Sequence, residues 1–272
     1  MRKTFSKLLN RYPMIPKDIK SIMRILYNTA EVEIAGLKDH EYQKLYPYLP
    51  PAGLRKRVAG TTDVAWLINS GINNANELTN TLEKHGYSWS NFKCILDFGC
   101  GCSRVLTHLR GKAPKLFGTD IDAKAISWCR KSLNFASFTT NQSLPPTDFP
   151  SEFFDLIYSI SVFTHLDEYY QFKWLKELRR IASNQSLLLL SVSGDYAASL
   201  NVFTELEKQK RLRNGFVHRS YRETFPFPKF YGDTYHTKEY IYKNWNRYFR
   251  IVDYIERGIT NHQDLVILQK DD

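Results

Sequence analysis

The chain lacks any apolar run near the roughly 20 residues that a membrane-spanning helix needs. Met1–Asn10 also lacks the apolar core and cleavage site of a signal peptide. A cytoplasmic protein is expected. Cysteine is scarce, four among 272 residues, which excludes a disulfide scaffold. Cys100 and Cys102 lie too close to bridge easily. Cys94 is near them, but no matching His/Cys pair follows at zinc spacing, so no metal site is expected. The thiols read as reduced and buried. Internal repeats and low-complexity tracts are absent. Acids are outnumbered, 28 against 38 Lys and Arg, for a net charge of +10. That excess suits nucleic acid, anionic lipid or an anionic small substrate; a solvated basic surface is the plain alternative. It gathers in Arg2, Lys3, Lys7, Arg11, Lys17, Lys20 and Arg24, and again in Lys208, Lys210, Arg211, Arg213, Arg219 and Arg222.

What is present reads as two regions. Residues 1–90 are mostly helical in pattern. In Pro16–Tyr27, Ile19, Ile22, Met23 and Leu26 recur at helical spacing opposite Lys17, Lys20 and Arg24. A helix packed on its own domain is expected, with a peripheral membrane helix as the alternative. Two further helices are predicted over about 62–69 and 74–85, the second ending at Gly86. From about residue 91, strands and helices alternate. Strands are predicted near 94–98, 116–119, 135–140, 154–159 and 187–192. Helices are predicted after the first strand, at 123–132 and at 166–182. A helix near 237–247 and two strands, 249–255 and 264–269, close the chain. Such alternation implies a sheet covered on both faces. The expected fold is a doubly wound α/β core at 91–272, with a seven-stranded mixed sheet whose last strand is antiparallel. Residues 1–90 would form a helical cap packed on it. The irregular stretch 194–236, rich in aromatic and basic residues, reads as a lid or substrate insertion.

The chemistry concentrates in Ile95-Leu-Asp-Phe-Gly-Cys-Gly-Cys-Ser103. Gly99 and Gly101 follow a strand, and without Cβ atoms they let the backbone bend and approach a ligand closely. A nucleotide belongs at the carboxyl ends of such strands. Asp120, at the end of the second strand, is placed to accept two hydrogen bonds from ribose hydroxyls. A dinucleotide dehydrogenase also carries an acid there, but its G-x-G-x-x-G/A fingerprint is missing. The sixth position from Gly99 is the bulky Arg104, and Asp97 stands just before the first glycine.

This pattern resembles the class I methyltransferases that use S-adenosylmethionine. An acid followed by G-x-G matches Asp97, Gly99 and Gly101; a third glycine is common in the family, and Ser103 stands there instead. Gly118-Thr-Asp-Ile-Asp122 resembles the second motif, and Phe154-Asp-Leu-Ile-Tyr-Ser159 the motif of the fourth strand. Ser-Val-Phe-Thr-His-Leu after that strand is similar to a bacterial subgroup that often accompanies sugar or polysaccharide enzymes. The resemblance implies that Gly99 and Gly101 admit the methionine end of the cofactor and that Asp97 holds its amino group. It puts Asp120 on the ribose with Ile121 beside it, and Ser159 and Ile160 on the donor through backbone groups. Asn141 would contact adenine or serve as a turn residue. Arg57 would pair with the methionine carboxylate or stay on the surface. For a hydroxyl acceptor a histidine suits as general base. His165 is the candidate, although the same position suits a helix-start histidine bonded to backbone. His236 and Tyr235 are second choices. The Asn/Asp-Pro-Pro-Tyr signature for exocyclic amines of bases is absent, which points to oxygen on a small molecule, a sugar or a nucleotide-linked acceptor. A nucleic-acid methyltransferase and a noncatalytic S-adenosylmethionine-binding protein remain the competing readings.

Overall fold

The computed structural model describes residues 12, 14–220, 228 and 230–271. Tyr221, Phe225 and Phe227, aromatic residues of the expected lid, lie outside the described residues, as do the N-terminal cations up to Arg11. The chain divides into two compact units, Met1–Leu67 and Ile68–Asp272. The helical region expected to reach residue 90 therefore gives its last helix mainly to the larger unit.

In the smaller unit, α1 (Lys17–Gly36) is joined to α3 (Ala52–Ala59) by the Glu31–Lys56 ion pair, and α2 (Asp39–Leu45) is tied to α3 by one buried arginine. Arg55 is 1% exposed and donates to Asp39 Oδ1 at 2.8 Å, Pro50 O at 2.7 Å and Thr62 O at 3.0 Å. Asp39 Oδ2 also accepts from Ala52 N at 2.8 Å, so the ion pair is satisfied on both sides.

Helix α4 (Val64–Lys84) runs unbroken where two helices were expected. Gly71, in the gap left between the two expected helices, is a point of close approach. A Cβ there would lie 2.3 Å from Arg104 O and 2.9 Å from the His108 ring.

The larger unit is built on a seven-stranded sheet in the order β3-β2-β1-β4-β5-β9-β8. Its strands are β1 (Cys94–Phe98), β2 (Lys115–Asp120), β3 (Ser137–Thr140), β4 (Phe154–Ser159), β5 (Ala182–Val192), β8 (Arg250–Ile259) and β9 (Gln263–Gln269). The first five pair in parallel; β9 is antiparallel to both β5 and β8. This is the expected mixed, doubly wound sheet. Leu96, Ile157, Leu188 and Leu190 are all fully buried, as strands covered on both faces require. Between them run α5 (Ala123–Ser132), capped by Asp122, and α6 (Glu168–Ile181), capped by Asp167.

The helix expected after the glycine turn is only a 3-10 turn, Leu106–Leu109. Ser103 takes φ 63° and Gly111 φ 76°, left-handed positions that bound the turn on each side. The same φ explains why glycine is common in the family at the Ser103 position. After β5 come α7 (Asp195–Ser199), α8 (Glu205–Asn214), a separate hairpin of β6 (Phe216–Ser220) and β7 (Gly232–His236), and α9 (Lys238–Trp245).

Candidate active site

The sheet order reverses between β1 and β4, and the loops leaving those two strands open the crevice where α/β folds bind nucleotides. From β1 comes the glycine turn. Gly99 has φ 85° and Gly101 φ 53°. A Cβ on Gly99 would sit 2.1 Å from Val162 Cγ2, so the turn packs directly on the loop after β4.

Asp120, half-buried at the end of β2, accepts from Gly101 N through Oδ2 and from Asp122 N through Oδ1, each at 2.8 Å. Each carboxylate oxygen keeps capacity for another donor. Its neighbour Ile121 is 42% exposed, an apolar side chain placed for an aromatic base to cover.

Asp97 is buried at 3% exposure and accepts from Tyr158 Oη at 2.9 Å. Burial pushes its carboxyl up to about 7, against the opposing pull of the Tyr158 bond and of nearby Arg104. Burial in turn lowers Arg104, whose Nη1 donates to Asn74 Oδ1 at 2.7 Å. A buried acid whose proton is favoured by burial suits a ligand that brings an ammonium group. Arg104 beside it suits that ligand's carboxylate.

The remaining cofactor candidates divide. Ser159 Oγ donates to Phe98 O at 2.8 Å inside the sheet, which leaves only its backbone for a ligand. Ile160 is 8% exposed at the strand's end. Asn141 Oδ1 accepts from Thr119 Oγ1 at 3.0 Å, and Nδ2 donates to Gln142 O at 2.8 Å, which leaves one lone pair and one N–H. Arg57 stands on α3 of the smaller unit.

His165 lies on the loop after β4, anchored by Phe163, which is fully buried against Trp245. Nδ1 of His165 is 2.7 Å from Gly232 O on β7. A carbonyl only accepts, so Nδ1 carries the proton and Nε2 keeps its lone pair. Burial lowers the imidazole below its usual value, which keeps that tautomer neutral. The ring stacks on Tyr231, centroids 4.3 Å apart and planes 17° from parallel. Burial raises the Tyr231 phenol, and the Asp120 and Asp233 charges add to it.

The second choices do not join this cluster. His236 is wholly buried, bonded to Gln171 through Nε2 and surrounded by Phe216, Tyr240 and Trp245. Burial pushes it down to about 3, so it is a neutral core histidine. Tyr235 points to the other face of β7, as strand alternation demands, and packs with Phe203, Ala197, Ala198 and Val217.

Sequence reasoning missed Tyr158 and Tyr231, and it used Arg104 only to exclude another fold. Tyr158 was legible in principle, because Asp97 and Tyr158 are register partners on adjacent strands. Tyr231 had no sequence signal beyond its place in an aromatic stretch.

Residues 96–190 match the family model of a methyltransferase domain. Three solved structures share the fold. One is a putative S-adenosylmethionine-dependent methyltransferase from Listeria monocytogenes (14% identity, 73% of this chain and 100% of that one, TM-score 0.52). Another is the N-methyltransferase NodS from Bradyrhizobium japonicum WM9 in complex with S-adenosyl-L-homocysteine (12%, 81% and 97%, 0.52). A third is the 1,6-didemethyltoxoflavin-N1-methyltransferase of Burkholderia thailandensis (13%, 77% and 82%, 0.51). No curated protein matches the sequence. The glycine turn after β1 and Asp120 at the end of β2 both lie within residues 96–190, the stretch that matches the methyltransferase-domain model.

Proposed function

We propose that the enzyme methylates a hydroxyl of a small sugar-like or nucleotide-linked acceptor, with His165 as general base. The observation that carries this reading is the Gly232 carbonyl on His165 Nδ1. It sets the one tautomer that can take a proton at Nε2, and burial keeps it uncharged near neutral pH. S-adenosylmethionine supplies a methyl group activated on a sulfonium. As the acceptor oxygen takes that methyl, Nε2 of His165 would take the hydroxyl proton. Asp120 would hold the ribose, Ile121 would lie against the adenine, and Asp97 with Arg104 would take the amino acid end. Residues 194–236 would act as the substrate insertion.

The N-methyltransferase names of two fold relatives make nitrogen the competing acceptor atom. A nucleic-acid substrate is less supported, because part of the second basic cluster is neutralised. Arg219 pairs with Glu207 at 2.8 Å, Lys208 with Glu205 at 2.6 Å, and Arg211 pairs with Asp195.

Labelled S-adenosylmethionine is to be incubated with nucleotide sugars, free sugars, amino sugars and RNA. Label on a hydroxyl of the sugar pools, lost by about 10²-fold in His165→Ala with cofactor affinity unchanged, is expected. Label on amines alone, or undiminished turnover in the variant, overturns the reading.

A further inference from the structure

Helix α1 makes its polar ties to the rest of the smaller unit through one side. Glu31 accepts from Lys56 Nζ at 2.6 Å and from Thr62 Oγ1 at 3.3 Å, and Val32 lies against Gly53. These contacts all belong to its second half. The first half turns its apolar stripe outward: Ile19 is 45% exposed, Ile22 56%, Ile25 61% and Leu26 64%. This is the stripe that sequence patterning placed against the protein's own domain. At about 100° per residue, Ile19, Ile22 and Leu26 share an arc of roughly 60°, with Lys20 and Arg24 on the opposite side. A single exposed leucine or isoleucine is ordinary; a contiguous stripe marks a contact surface. The charge around it has one sign. Residues 1–30 carry seven Lys and Arg and a single acid, Asp18.

We propose that α1 is a reversible membrane anchor, lying flat on an anionic bilayer. Ile19, Ile22 and Leu26 enter the boundary between headgroups and acyl chains, while Lys20 and Arg24 stay among the phosphates. Lipid fits this face better than a second copy of the helix, because two such copies would bring like charges together with one acid each to offset them. Attachment is to one leaflet: among the described residues no helix is long and apolar enough to cross a membrane.

The test is vesicle flotation of the full chain, with pure phosphatidylcholine vesicles and with vesicles that also contain phosphatidylglycerol. The wild type is expected to float only with the anionic vesicles and to detach as salt rises. Ile22→Glu/Leu26→Glu is expected to lower that partitioning by at least about tenfold, and Lys20→Glu/Arg24→Glu to lower it as well. Calorimetry with S-adenosylmethionine shows whether each variant is folded. Failure of the wild type to float, or flotation of the folded Ile22→Glu/Leu26→Glu variant equal to wild type, overturns the proposal. So does a wild-type dimer that ignores vesicles and becomes monomeric in the double variant.

Discussion

Replacing Asp97 by Asn tests the electrostatic logic of the cofactor site most directly. Burial moves this carboxyl from its ordinary 3.8 to about 7. That is a bias of roughly 4 kcal/mol toward the neutral acid, at about 1.4 kcal/mol per unit. In the unliganded protein the ionised form is penalised, so stability falls as pH rises from near 4 through 7. An ammonium group seated beside it reverses the preference, and binding should draw off a proton. Between pH 6 and 7 the ionised fraction of a group titrating near 7 rises about fivefold, while an α-amino group stays mostly charged. The affinity of the wild type for S-adenosylmethionine should follow that fivefold rise. Calorimetry in two buffers of different ionisation enthalpy should show about 0.9 proton released per binding event at pH 6. In Asp97→Asn, which keeps an acceptor for the Tyr158 hydroxyl, affinity should be weaker and flat with pH. The unliganded variant should be no less stable than wild type at pH 7.5. A wild-type affinity that does not change between pH 6 and 7, with no proton release, would refute the reasoning.

Gly99→Ala should cost about 2–4 kcal/mol in urea unfolding, from the Val162 overlap and the φ of 85° together. Adding Val162→Ala should recover only the steric part; full recovery would remove backbone strain from the account. His236 is held neutral down to about 3, so its contribution turns destabilising as pH falls below the usual histidine value. At pH 5 that amounts to about 2 kcal/mol relative to pH 7. His236→Leu should flatten the slope by that amount, and an unchanged slope in denaturant midpoints would show that another group is responsible. The kcat of the wild type should fall on acidification with an apparent pKa below the usual 6.5 of histidine, and that limb should vanish in His165→Gln.

Much of this was readable from the chain because parallel strands buried on both faces leave short, almost uninterrupted apolar runs. Cys94–Phe98 and Leu187–Val192 are such runs, and each is bounded by turn residues. Asp120 was legible for the same reason: a fixed strand length sets its distance from the glycine turn. Patterns failed where a third partner decides. Gly71 falls in the gap between two helices in a one-dimensional reading but is a contact point for Arg104 O in three. Tyr235 and His236 were both placed in the cleft, although neighbours on a strand face opposite ways, and neither joins the cluster around His165. For α1, periodicity marks an apolar face without naming what covers it.

The tie between His165 and Gly232 has a practical consequence for altering acceptor range. Substrate insertions are natural targets for exchange between relatives, but here the donor's replacement segment would have to reproduce one carbonyl oxygen. Gly232 also has no room for a side chain, since a Cβ would lie 2.3 Å from Arg219 O and 2.6 Å from His218 Cε1. A chimera that swaps 216–236 without this hairpin geometry would accept its new substrate and leave the imidazole free to flip, so selectivity and proton transfer must be engineered as one piece.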